Sequence, residues 1–357
     1  MNDKTRKIIG IWLLIGLVMV IVQVILGGIT RLTDSGLSIT EWNVVKGVLP
    51  PLNEADWQIA FGKYQDLAKQ QFEHIHANMT LTKFKGIYFW EWFHRLWARS
   101  MGFVFLFPFL YFLKKKMIPS WLLKRLGIVI LLAMLVASIG WLMVASGFDD
   151  TKRTWVSAYK LLLHLGVAAI LFSYLFKTSL YVLQSETKDQ HLVKFYKLSK
   201  IILVLVFTQI LIGALMAGMR AGAVHTHFPF FLGNNTLVAI LQSNTNFSLE
   251  SMINYESNNF VKALVQVFHR SFAWIIFSMS IYFFLKLRKE PISEKLNTGN
   301  TIMLILILIQ FTLGVFTIIN YINPSLLIPL GVLHQAFAFF SLISWVYISF
   351  QFKKKLF

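Results

Sequence analysis

Long apolar stretches alternate with short polar ones along the chain. A helix rising 1.5 Å per residue needs about 20 apolar residues to cross ~30 Å of hydrocarbon. Eight stretches reach that length: 8–28, 90–113, 121–145, 157–181, 197–219, 260–286, 301–320 and 328–351. Each is predicted as a transmembrane helix. The first follows Lys4, Arg6 and Lys7, as a signal peptide core would. Its core is too long for one, and no small-residue cleavage site follows "ILGGITRLTDSG", so it is expected to remain as an anchor.

The polar positions set the orientation. Lys114, Lys115, Lys116, Lys124 and Arg125 follow the second span, and Lys188, Lys194 and Lys197 follow the fourth. Lys286, Arg288, Lys289 and Lys295 follow the sixth, and Lys353, Lys354 and Lys355 follow the eighth. The opposite loops are poor in Lys and Arg, which places both termini in the cytoplasm. The formal net charge of +18 is therefore a topology signal, and nucleic acid is not an expected partner. Two opposite segments are long, 29–89 and 220–259, and Trp42, Pro50, Pro51 and Trp57 predict an ordered cap in the first.

The chain also repeats itself. "FHR" occurs at 93–95 and 268–270. A Gln-x-x-x-Gly pattern recurs at Gln23/Gly27, Gln209/Gly213 and Gln310/Gly314, and the third span has Val136 before Gly140. Small residues let helices approach closely, and Gln can hydrogen-bond between them. The expected fold is an all-α integral membrane protein of eight transmembrane helices. These form two pseudo-symmetric four-helix bundles, 1–190 and 191–357, with both termini inside. Composition agrees: 14% of residues are charged, against about a quarter in soluble domains. The absence of cysteine excludes disulfides, covalently attached c-type haem and cysteine-ligated iron–sulfur clusters.

Four histidines lie inside spans: His94, His164, His269 and His334. All fall on even-numbered spans near their outer starts, so they share one depth. A lone intramembrane His is more often a hydrogen-bonded interior residue than a ligand. Four at one depth, in two repeated pairs, point to metal. Without Cys, and with little carboxylate nearby, a zinc site is poorly supplied. Facing imidazoles between apolar and aromatic walls suit haem iron. Pairing within halves is the default for separate bundles, and His94 with His269 stays open.

Glu91, His94 and Arg95 stand at i, i+3 and i+4, and Arg99 continues that face. The second copy reads Gln266, His269, Arg270. Glu can exchange a proton and Gln cannot, so the Glu-bearing half is expected to be the reactive one, unless Glu91 only neutralises Arg95. Arg31, Arg95, Arg99, Arg220 and Arg270 are candidate partners for haem propionates, since guanidinium suits carboxylates. His74 and His76, and His225 and His227, form His-x-His pairs in the outer loops and read as surface histidines.

"GGITRLTDSGLSITEWNVVKGVLPPL", "FKGIYFWEWFHRLWAR", "GWLMVASG", "LIGALMAGMRAG", "FHR" and "VLHQAFA" together resemble the haem A synthase family over nearly the whole chain. The resemblance implies oxidation of the C8 methyl of haem O to the formyl group of haem A, by successive hydroxylations, for cytochrome oxidase assembly. It implies a haem b on His269 and His334, a substrate site at His94 and His164, and Glu91 as an essential acid. It further implies the bacterial inner membrane, with the haem sites towards the outer side. Expected partners are haem O, an electron donor, membrane lipid, haem O synthase, assembly factors and a second copy of the chain. Many bacterial members carry a cysteine pair in the first outer loop. This chain resembles the cysteine-free type. Val136 replaces the family's Gln in span three, and Val224-His225-Thr226-His227-Phe228-Pro229 replaces its usual motif after Arg220. Two other classes compete with the enzyme: a b-type cytochrome relaying electrons in the membrane, and a haem transporter or chaperone. The first would stack haems across both leaflets, and the second would need broken helices near the midplane.

Overall fold

The structure, a computed structural model, describes residues 1–41, 46–148, 154–184, 189, 191–229 and 248–352. Trp42, Lys188, Lys353, Lys354 and Lys355 lie outside the described residues. Within them the regular structure is helical: α1 (Asp3–Leu32), α2 (Glu54–Leu67), α3 (Lys69–Ile75), α4 (Leu81–Lys114), α5 (Ser120–Ala145), α6 (Ala158–Leu183), α7 (Val193–Gly218), α8 (Leu249–Ile253), α9 (Asn259–Leu287), α10 (Glu294–Ile319) and α11 (Pro324–Gln351). Eight of these, α1, α4, α5, α6, α7, α9, α10 and α11, are long and apolar enough to cross a membrane. They coincide with the eight predicted spans. Hydrocarbon offers no hydrogen-bond partner, so a spanning backbone must bond within itself, and the helix does that. Side chains close several first turns: Asn2 accepts from Thr5 N–H, Ser293 from Leu296 N–H and Asn323 from Ser325 N–H.

α4 overruns its predicted span by nine residues at its start. Thr80 accepts from Lys83 N–H at 3.4 Å, and the extra turns carry Phe84, which is fully buried under the cap. The described residues of the cap pack on one another and on the start of α4. Trp57 stacks edge-on against Tyr88 at 5.0 Å, and Tyr64, Phe84, Ala68 and Leu37 form a small core. Within it the buried Tyr64 hydroxyl donates to Gln71 Oε1 at 3.1 Å and accepts from His76 Nδ1 at 2.6 Å. Burial holds the His76 pKa below its ordinary value, so the ring stays neutral, and burial pushes the Tyr64 hydroxyl up. His76 is thus a structural member of the cap.

The four long helices preceding residue 190 form a row, α4–α1–α6–α5, in which each packs on the next. Those following it form a ring: α7 packs on α9 and α11, and α10 packs on both of these. Row and ring meet where α6 lies on α7 and where α11 lies on α1 and α6. Fully buried Phe172, Phe283, Phe339 and Trp345 fill the centre. At its last residue, Gly218, α7 approaches the start of α6 closely, since a Cβ there would stand 2.7 Å from the Ala158 backbone.

Candidate functional site

Each of the four predicted histidines faces the glycine of a Gln-x-x-x-Gly or Val-x-x-x-Gly turn on a neighbouring helix. A Cβ on Gly27 would lie 3.4 Å from His94 Nε2, and one on Gly140 would lie 2.8 Å from His164 Cε1. A Cβ on Gly213 would lie 3.3 Å from His269 Cε1, and one on Gly314 would lie 2.8 Å from His334 Cε1. The glycines are therefore seats for imidazoles as well as helix contacts. Each stands five residues before the last residue of its helix, α1, α5, α7 or α10. At 1.5 Å per residue, all four rings sit at one level, roughly 7–8 Å inside the helix ends.

The seat also explains the departure at Val136. A glycine at i+4 bares the carbonyl at i, and His164 Nδ1 donates to Val136 O at 3.0 Å. The main chain does this work, so Gln is not required there. His94 instead turns its Nε2 to the side chain of Gln23, at 2.8 Å, and Gln209 Nε2 donates to the His269 carbonyl at 2.8 Å. A methyl group on a seat would overpack it, which costs about 1–3 kcal/mol. Gly140→Ala and Gly314→Ala are accordingly expected to lower the unfolding midpoint in detergent. Gly62→Ala in α2, where a Cβ meets nothing within 4 Å, should leave it unchanged or raised.

The rings of His269 and His334 meet, with centroids 6.4 Å apart and planes at 79°. All four keep some accessible surface. Among the described residues no cluster of three or more His, Asp or Glu could hold a metal ion.

Glu91 is buried, 3% exposed. Its Oε1 accepts from Arg95 Nη2 at 2.5 Å, and its Oε2 accepts from Ser38 Oγ at 2.7 Å and Ile39 N–H at 2.8 Å. Arg95 also donates to the carbonyls of Ile39 and Glu41. The second copy does the same with weaker chemistry. Gln266, fully buried, donates to His225 O at 2.6 Å, and Arg270 donates to Pro229 O at 3.2 Å. In both copies the residue three before the His and the Arg after it clamp the loop that follows the preceding span. Only one clamp contains an acid. Arg99 lies one turn further along α4.

Arg31 and Arg220 come together, and the residue joining them was not legible in the sequence. Arg220 pairs with Asp34, Arg31 lies 3.5 Å from the same carboxylate, and Arg31 Nη2 donates to Ala217 O at 2.6 Å. Trp155 lies under both cations, 3.3 Å from Arg220 Cζ and 5.5 Å from Arg31 Cζ. The separations from Asp34 to Arg220 and from Arg31 to Ala217 equal that from Gln23 to Gln209, so both bonds join repeat-equivalent positions. That spacing was the signal available. Asp34 and Arg220 both hold a left-handed backbone, φ 54° and 50°, a costly state for non-glycine residues that the cross-link holds in place.

The profile of the family described as cytochrome oxidase assembly protein (COX15-CtaA) matches residues 10–346. The chain is 37% identical over 356 residues to the haem A synthase of Flavobacterium psychrophilum, spanning 98% of this chain and 100% of that protein. It is 35% identical over 350 residues to the haem A synthase of Flavobacterium johnsoniae, spanning 96% and 97%. With that of Nitrosospira multiformis it shares 36% over 346 residues, spanning 96% and 93%.

Proposed function

The chain belongs to the COX15-CtaA family of cytochrome oxidase assembly proteins, and from that premise we propose that it is a haem A synthase. It oxidises the C8 methyl of haem O to a formyl group. Each of two hydroxylations replaces a methyl C–H bond by C–OH at the expense of an external oxidant, either water with an acceptor that takes two electrons as two protons leave, or dioxygen with two electrons and two protons from a donor; the geminal diol then loses water to leave the aldehyde. The observation that carries this reading is the twin imidazole pairs at one level, with a buried acid beside only one of them.

His94 and His164 would hold the substrate iron. Glu91 lies one turn before His94 and would exchange a proton at Oε2 with the Ser38 hydroxyl, or stabilise positive charge developing at the methyl carbon. Arg95 fixes that carboxylate and the loop above it. His269 and His334 would hold haem b. Their rings come together between α9 and α11, with centroids 6.4 Å apart, and two imidazoles brought together in this way are a donor set suited to haem iron. His269 Nδ1 is buried with no hydrogen-bond partner among the described residues, and His334 faces the Gln310 carbonyl, as His164 faces that of Val136. When bound, haem b supplies one-electron redox chemistry.

Arg31 and Arg220 share one acid and so leave a positive charge in excess, which suits a propionate. Arg99 is proposed for the same role. Arg95 and Arg270 commit bonds to loop backbone and position it. The histidine end faces the outer side of a bacterial inner membrane, as the lysines at the other end imply. Purified protein from cells that also express a haem O synthase is expected to yield haem b together with haem A or its hydroxymethyl intermediate on pigment extraction. If neither oxidised pigment forms, the assignment fails.

A further inference from the structure

The half carrying Gln266 is shut at its side, and the half carrying Glu91 is not. α9 and α10 are joined by three aromatic rings: Phe311 of α10 lies 4.7 Å from Trp274 and 4.6 Å from Phe277, both of α9. The repeat shows what occupies the same places in the other half. Aligning "FHR" at 93–95 with 268–270 puts Arg99 opposite Trp274 and Gly102 opposite Phe277. Aligning Gly140 with Gly314 puts Ala137 opposite Phe311. All three rings are missing.

The consequence is visible in the packing. A Cβ on Gly102 would meet nothing within 4 Å, and Ala137 is exposed although it lies one turn from the seat of His164. Among the described residues no packing comparable to α9 on α10 joins α4 to α5. In the apolar stretches of α4 and α5 fewer residues are buried than in those of α9 and α10.

A resident cofactor must stay, whereas a substrate must enter and its product must leave. A porphyrin is a flat, largely apolar plate that partitions into hydrocarbon. We propose that the seam between α4 and α5 is a lateral port through which haem O reaches His94 and His164 from the bilayer. The loss of the aromatic closure at Arg99, Gly102 and Ala137 is what makes this half the substrate half. Arg99, in the place of Trp274, sets a cation at the port. This rests on the proposed function.

The test grafts the closure from one half to the other. Gly102→Phe combined with Ala137→Phe is expected to retain haem b and the wild-type unfolding midpoint. Its conversion of limiting haem O should fall by roughly tenfold or more, through KM rather than kcat. The reciprocal Phe277→Ala with Phe311→Ala is expected to exchange haem b with added haem faster than wild type. Wild-type conversion at limiting haem O in the grafted variant would overturn the port. Should grafting also strip haem b, the reciprocal variant decides, and unchanged exchange there overturns it. A wild type that makes no haem A fails the function instead. Uptake of haem O by the wild type but not by the grafted variant, read from the Soret band, would still support the port.

Discussion

Glutamine in place of Glu91 is expected to reduce haem A formation by roughly a hundredfold to ten-thousandfold, the usual range for a positioned acid or base. The carboxylate receives three donors: the Arg95 guanidinium, the Ser38 hydroxyl and the Ile39 N–H. An amide of the same shape must turn its own N–H donors towards one of these, and one contact becomes donor against donor. Arg95, 10% exposed, also loses its buried counter-charge. Removing one partner of a buried pair costs about 3–5 kcal/mol, so a lower unfolding midpoint is expected with the lost activity. Glu91→Asp separates the two effects, because it keeps the charge and shortens the reach. Aspartate should restore most of the midpoint and little of the rate if the carboxylate acts on substrate. Recovery of both together would reduce Glu91 to a clamp, and full activity in Glu91→Gln would remove it from the chemistry altogether.

Alanine at His334 is expected to remove haem b from the purified protein almost completely. The 6.4 Å spacing of His269 and His334 would then offer one imidazole, and α10 would keep an empty seat at Gly314. His164→Ala supplies the contrast: haem b should stay, and only haem O binding and conversion should fall. The measurement is the haem b to protein ratio by haemochrome spectrum, beside the extracted pigments. Haem b lost equally from both variants would mean that the imidazoles pair across the halves.

Much of this architecture could be read one stretch at a time. The eight spans were legible because crossing hydrocarbon is decided by about 20 consecutive residues, and the four histidines stood out because polar groups inside such spans are costly. The Gln-x-x-x-Gly pattern was visible, but its use was not. Only the folded chain shows that each glycine seats an imidazole and that Val136 serves His164 through its carbonyl. His76 looked like a surface residue because nothing local announces its bond to Tyr64. Nothing local marks Asp34, an acid in a polar loop, until Arg220 arrives from 186 positions away.

The sequence by itself determined the helices, their repeat, the level of the histidines and the single acid beside one pair. Each is a property of a short segment or of two segments compared. The tertiary structure decided which ring faces which seat, which loop each clamp holds, and that the aromatic closure seals one half while the other stays apart. Those outcomes depend on side chains from separate helices meeting in space. Phe311 closes a seam only because Trp274 and Phe277 stand opposite it, and Ala137 leaves one because Gly102 does.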